Sequence, residues 1–443
     1  MTDFLWDTIR EHKSGQGVGI YSVCSAHPVV LQAAMRQVAA DGTYALIEAT
    51  SNQVDQFGGY TGMRPEDFRE LVLGIADGLD YPRDQIVLGG DHLGPNRWQT
   101  QPAAEAMANA EVLVATYVEA GFTKIHIDCS MSCADDPVPA GDDLVATRTA
   151  RLIRVAEDAA ERVGLVGRIL YVIGTEVPVP GGAHETLSQL TPTAPEAARA
   201  TLERHRVAFA DCGLAYVWPR IIALVVQPAV EFDHLQVIDY KHEGTAELRN
   251  ILNDEPGLVF EAHSTDYQRP DALRQLVMDH WAILKVGPGL TFAMREALFA
   301  LAGIEDELIP NATRSHLIEV IDARMIANPN YWEGYYEGDV DEQRIARRFS
   351  YSDRLRYYWP DPEIAAAEAR LYDNLSTVAI PLPLISQFLP DQYFRVRAGE
   401  IAADPRSLVI DRIRDCLRPY ALACFPEIRA SSTSNTTQGA SLV

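Results

Sequence analysis

Short apolar runs alternate with amphipathic stretches along residues 17–291, and the alternation repeats eight times. Each apolar run ends in a polar or glycine-rich stretch: GIYSVCSAH (19–27), ALIEATSNQ (45–53), IVLGGDHLG (86–94), KIHIDCSMS (124–132), LYVIGTEVP (170–178), IIALVVQPAVEF (221–232), LVFEAHSTD (258–266) and AILKVGPGL (282–290). Continuous apolar runs mark strands buried on both faces, and their alternation with helices calls for a parallel sheet with right-handed crossovers. Eight such units predict an α/β fold, a closed (β/α)8 TIM barrel, with its site at the C-terminal strand ends.

The intervening helices follow from apolar spacing and end signals. Residues 27–42 place Val30, Leu31, Ala34 and Val38 on one face and stop at Gly42, a natural position for a left-handed residue. Residues 64–79 carry Pro65 in the first turn, with Glu66 and Asp67 at the positive helix end. Further helices are expected over 103–121, 143–164 and 194–213; the pattern weakens near residue 240, and the last barrel helix is expected to start near Thr291. Long connections after the second to fifth strands would build walls over the site.

At 443 residues the chain exceeds the roughly 250 of a bare barrel. The barrel is expected over 1–304, a helical extension packed on it over 305–427, and a disordered tail over 428–443. The extension contains two Tyr- and Trp-rich segments, 328–338 and 350–360, which are read as core packing ahead of a partner surface. The net charge of −24 leaves no basic excess for nucleic acid or an anionic membrane, although a locally positive site could still hold a sugar phosphate. The six cysteines show no regular framework, so reduced thiols are expected. The first fifteen residues read as an amphipathic lead-in helix without a signal-peptide apolar region, and no run of 18 apolar residues occurs; the expected location is the cytoplasm.

Candidate chemistry gathers at the strand ends. In LGGDHLGPN (88–96), glycines precede Asp91 and His92, where they permit close approach, and Pro95–Asn96 turns the chain outward. His92, Glu176 and His263 come from different strands and form a candidate open site for a divalent metal such as Zn or Mn. A metal-free polar network is the competing explanation. Asp91, Asp128 and Glu231 are candidate acid–base groups. His126 is read as deeper and structural. Glu48, Asn52, Gln53, Asn96, Gln227, Ser264 and Asp266 are candidate substrate contacts, while Gly287 and Gly289 precede a helix N-terminus suited to an anion. No GxxxxGK[ST], GxGxxG or GxSxG motif occurs.

The segments 47–63, 88–96, 126–137, 174–182, 225–232, 261–268, 284–301 and 351–360 resemble the accessory, non-catalytic subunit family of class II tagatose-1,6-bisphosphate aldolase. The resemblance spans about residues 10–425 and implies an aldolase-like barrel in hexitol or amino-sugar catabolism. Members of the family have also been labelled tagatose-6-phosphate kinases, a label unsupported by any phosphate loop here. More widely, Asp91 and His92 resemble the catalytic Asp and zinc-ligand His of class II aldolases, and Glu176 and His263 resemble later ligands. Gln227 stands where those aldolases present another zinc His, a departure that suits an accessory role.

Three functions follow as expectations. The first is an aldolase accessory subunit, partnered by a class II aldolase catalytic subunit or by further copies of itself. The second is a metal-dependent ketose or ketose-phosphate 4-epimerase of the tagatose/fructose type, with Asp91 and Asp128 shuttling protons. The third is a non-catalytic sugar-phosphate binding protein.

Overall fold

The computed structural model describes residues 2–174 and 190–425. Eight parallel strands close into a barrel: β1 (Ile20–Cys24), β2 (Ala45–Thr50), β3 (Ile86–Leu93), β4 (Lys124–Ile127), β5 (Leu170–Gly174), β6 (Ile221–Val225), β7 (Val259–Ala262) and β8 (Trp281–Val286). Closure comes from β1 against β8, with Val23 beside Val286. All eight expected strands are present, which confirms the (β/α)8 reading.

Alternation along the strands sorts the interior into layers. At the N-terminal end Ile20, Leu46, Val87, Leu170, Ile222, Val259 and Ile283 form an apolar floor, sealed by Leu5 and Ile9 of the helix Thr2–Glu11. Above them lies a charged layer of Glu48, Lys124, Glu261 and Lys285, each at most 4% exposed. The next layer carries Asp91, His126 and His263. Gly89 makes this stacking feasible, because a Cβ there would lie 2.6 Å from the Glu48 Cγ.

Two crossovers depart from the sequence expectation. After β6 the chain forms a small antiparallel hairpin, Glu231–Phe232 against Val237–Ile238, and only a short helix, Ala246–Asn250, follows. After β8 the helix starts at Pro288 rather than Thr291, since proline suits the first helical position. That helix runs on to Leu308, through residue 304.

The extension is tied to the barrel at several levels. Trp332, Tyr336, Tyr358 and Trp359 are buried, so these aromatics pack inward. Asp353 lies 2.9 Å from Arg295 and accepts a hydrogen bond from Thr291 at 2.6 Å, which joins the extension to the helix after β8. The helix Pro405–Cys424 packs against the helices Pro28–Asp41, Pro270–Met278 and Pro288–Leu308 and against β1. The Gly19 amide donates to the Cys424 carbonyl at 2.9 Å. This helix therefore fills a place in the outer ring over β1. The expected tail, 428–443, lies outside the described residues. No described helix is long and apolar enough to cross a membrane.

Leu417, fully buried in this helix, reports on its role. Leu417→Ala should cost about 2–5 kcal/mol of global stability, read from urea unfolding. A loss below about 0.5 kcal/mol would mean that the helix is peripheral to the barrel.

Candidate active site

The C-terminal strand ends open into a cavity of about 890 Å³. Its floor is the LGGDHLGPN segment and what converges on it. Asp91 ends the inward row of β3, and His92 follows with a positive φ of 50°. Ser264, just after His263, also has a positive φ, of 51°. Such backbone is strained for residues other than glycine and is retained where surrounding contacts hold it. Gly94 is required by crowding: a Cβ there would lie 1.7 Å from the Asp128 carbonyl oxygen.

Asp91, His92, His126 and His263 each offer a ligand atom, and these atoms lie within 4.8 Å of one another. The three imidazoles are neighbours, with ring centroids 4.8–5.3 Å apart. His92 Nδ1 sits 2.8 Å from Asp128 Oδ2, and His263 Nε2 sits 3.0 Å from Glu261 Oε1. Carboxylates of this kind fix the tautomer and orientation of metal-binding histidines. His126 is engaged at both ring nitrogens, by Asp91 Oδ1 and by the Gly174 carbonyl, each at 2.9 Å. It would have to release one of them to bind a cation. The set of imidazoles and one carboxylate suits Zn or a similar divalent ion, with Asp91, His92 and His263 the better-placed donors.

The charged layer beneath sets the electrostatics. Lys124 Nζ contacts Glu48 and Glu261 at 2.7 Å each, while Lys285 Nζ lies 2.8 Å from Glu48 and 2.6 Å from Asp91. Burial would raise the Asp91 acid, but His92, Lys285 and His126 hold it well below the usual carboxylate range. Burial opposes ionisation of Asp128 too, and the His92 hydrogen bond and charge outweigh it. For His92, Asp91 and Asp128 overcome burial and raise the imidazole. Burial dominates at His263, which is pushed down to about 3. Two ionised carboxylates therefore flank His92, and His263 is neutral.

Other expected site residues are placed as follows. Asn52, Gln53, Asn96, Ser264, Asp266 and Gly287 line the cavity. Glu48 lies below it in the charged layer. Gln227 is buried outside the lining, its Oε1 accepting from the Val230 amide at 2.9 Å. Glu231 is also outside the lining, fully buried in the hairpin, and accepts from the Phe232 amide at 3.0 Å. Glu176 falls outside the described residues. The amides of Gly287 and Gly289 donate to Asp266 Oδ1 at 2.9 and 2.7 Å, so a carboxylate of the chain itself occupies this helix N-terminus.

Sequence reasoning left several lining groups without a role. Lys285 was hidden in an apolar strand, although its inward register was the available signal. Arg354, Arg356 and Tyr357 reach the cavity from the extension. Their signal was a pair of arginines two apart in an aromatic segment. Among the groups singled out, His126 joins the donor cluster that it was expected to lie beneath.

Glu231 generates a pH prediction. Burial pushes its acid up to about 7, against roughly 4.3 in an unfolded chain. The folded state thus holds a proton more tightly, and this contribution is complete below about 4.3 and fades as pH rises toward 7. Glu231→Gln should gain on the parent protein across that window, seen as a growing difference in melting temperature. A constant difference from pH 4 to 7 would show that Glu231 is not neutral in the fold.

Comparison with known proteins extends the geometry. The family model described as D-tagatose-1,6-bisphosphate aldolase subunit GatZ/KbaZ-like matches residues 5–425. A probable tagatose 6 phosphate kinase from Sinorhizobium meliloti 1021 is 50% identical, with a TM-score of 0.85 over 92% of this chain and 100% of its own. A fructuronate-tagaturonate epimerase, UxaE, from Cohnella laeviribosi shares the fold at 14% identity and a TM-score of 0.50, over 91% of this chain and 81% of its own. With its closed barrel, its strand-end cluster and these matches, the chain belongs to the GatZ/KbaZ-like family of D-tagatose-1,6-bisphosphate aldolase subunits.

Proposed function

We propose that this chain binds ketose phosphates in sugar catabolism and works as a subunit alongside a class II aldolase catalytic subunit. The convergence of Asp91, His92 and His263 on one strand-end cavity, with His126 clustered beside them, carries the reading. About 890 Å³ is ample for a monosaccharide phosphate. A divalent cation, when bound, would polarise a ketose carbonyl or hydroxyl oxygen. Asp91, His92 and His263 would hold it, with Asp128 and Glu261 orienting the two imidazoles. Asn52, Gln53 and Asn96 supply amides for sugar hydroxyls. The absence of a kinase phosphate loop from the sequence favours this reading over phosphoryl transfer.

The two carboxylates beside His92 favour a second reading, a 4-epimerase of the tagatose/fructose type. Asp128 Oδ2 lies 2.8 Å from His92 Nδ1, and Asp91 Oδ2 lies 3.9 Å from His92 Nε2. In this reading Asp91 serves as acid or base rather than as a cation ligand, and either carboxylate can take a proton from a substrate hydroxyl or carbon and return it. Inversion and reversible carbon–carbon cleavage both need such a base next to a polarised oxygen. The UxaE structure supports only the fold here.

The test combines metal analysis with NMR of tagatose 6-phosphate and fructose 6-phosphate. Interconversion by the metal-loaded chain alone establishes the epimerase. Accelerated aldol cleavage only when a catalytic aldolase subunit is added establishes the subunit role. Failure to bind either sugar phosphate overturns both. If Asp128 moves a proton, Asp128→Asn should lower turnover ~10²–10⁴-fold even at saturating metal, which separates proton transfer from its part in orienting His92.

A further inference from the structure

The phosphate-binding place common in barrels, the helix N-terminus after the eighth strand, is filled here by Asp266. Lys285 is surrounded by Glu48, Asp91 and Glu261. Arg97, on the cavity wall, is paired with Asp55 at 3.2 Å. Two cations of the cavity remain, Arg354 and Arg356. Among the described residues neither guanidinium has a carboxylate within 4 Å.

We propose that Arg354 and Arg356, supplied by the extension, grip the terminal phosphate of a ketose phosphate whose sugar faces the histidine cluster. The assignment rests on the ketose-phosphate reading above and adds the element that selects the phosphorylated sugar.

The pair is built into place. Arg354 is only 5% exposed; its Nε donates to the Tyr331 carbonyl, and its guanidinium lies 3.2 Å from the Tyr335 ring centre and 5.1 Å from that of Tyr357. Its guanidinium also acts on the Tyr357 hydroxyl, through charge and as a hydrogen-bond donor. Arg356 lies over Tyr357 at 4.4 Å and donates to the carbonyls of Ser352 and Asp353 and to the Tyr357 hydroxyl. Tyr357 is itself stacked on Tyr331, with centroids 5.0 Å apart, and meets Tyr60 edge-on at 4.8 Å. Two guanidiniums are thus fixed on an aromatic wall, with little rotamer freedom left to lose on binding.

Charge explains why the ligand group should be a phosphate. Asp353 and Asp266 act on Arg356 from beyond ion-pair distance, no carboxylate pairs directly with either guanidinium, and a carboxylate ligand could pair with only one of the two. A phosphate monoester carries about −1.5 to −2 at pH 7 and three acceptor oxygens, which suits both guanidiniums. The local field already shows on Tyr357: burial would raise its phenol, yet Arg356 and Arg354 hold it below the usual value.

The test measures binding of tagatose 6-phosphate, free tagatose, tagaturonate and inorganic phosphate to the full chain by calorimetry, with Arg354→Met, Arg356→Met and the corresponding lysine variants. Each methionine variant should cut the preference for the phosphorylated over the free sugar by about 10- to 100-fold, the range of a charge-assisted hydrogen bond, and lysine should restore part of it. Because Arg354 is buried and its variants could unfold, the parent chain supplies an independent check. Inorganic phosphate should bind it and compete with tagatose 6-phosphate but not with free tagatose. The proposal is overturned by a preference that survives in both folded methionine variants, by phosphate that does not compete, or by tagaturonate binding as tightly as the phosphate. The last result would assign the arginines to sugar acids. If the parent chain binds free tagatose without preferring its phosphate, the arginine grip fails and the sugar site stands; if it binds no sugar at all, the functional reading fails as well.

Discussion

Buried charge inside the barrel is the constraint on which the rest of the molecule depends. Glu48, Lys124, Glu261, Lys285 and Asp91 come from β2, β4, β7, β8 and β3, and all are within 4% of full burial. Losing any one would strand a partner in a low-dielectric interior, which is why breaking such a set costs far more than a surface pair. The network therefore ties five strands together across two adjacent layers. It also keeps Asp91 ionised beside the histidines. Structure and chemistry share the same ion pairs.

The site inherits its order from that layer. Glu261 touches both lysines and His263, so the tautomer of a candidate ligand is linked to the core charges. Asp128 does the same for His92 from the side of β4. The preorganisation is already present in the protein groups, so little reorganisation is needed when substrate arrives.

Much of this was legible in the sequence, and the limits have physical causes. Eight apolar runs separated by helices define the barrel, because strands covered on both faces cannot tolerate polar outer positions. The same reasoning puts Asp91, His92, Asp128 and His263 at strand ends. It does not reveal height within the barrel, since inward positions alternate identically at every layer. Glu48 thus read as a substrate contact, although it sits below the cavity; His126, read as structural, is fully buried and held at both ring nitrogens, yet stands beside the other imidazoles. Gly287 and Gly289 read as an anion site because local pattern cannot show that Asp266 reaches them. The extension was legible as helices, whereas its approach to the cavity through Arg354 and Arg356 depends on tertiary packing alone.

The bond between Gly19 and Cys424 has a consequence for how the protein is made. β1 is made before the other strands, but the helix that covers it follows them all, about 400 residues later. Until that helix arrives, an apolar flank of the first strand lacks its native cover, and joining the two closes a loop of nearly the whole chain. Contacts so distant in sequence form slowly, because the entropy of closure is lost before the packing is gained. A nascent chain stalled short of the helix Pro405–Cys424 is therefore the form most in need of a chaperone.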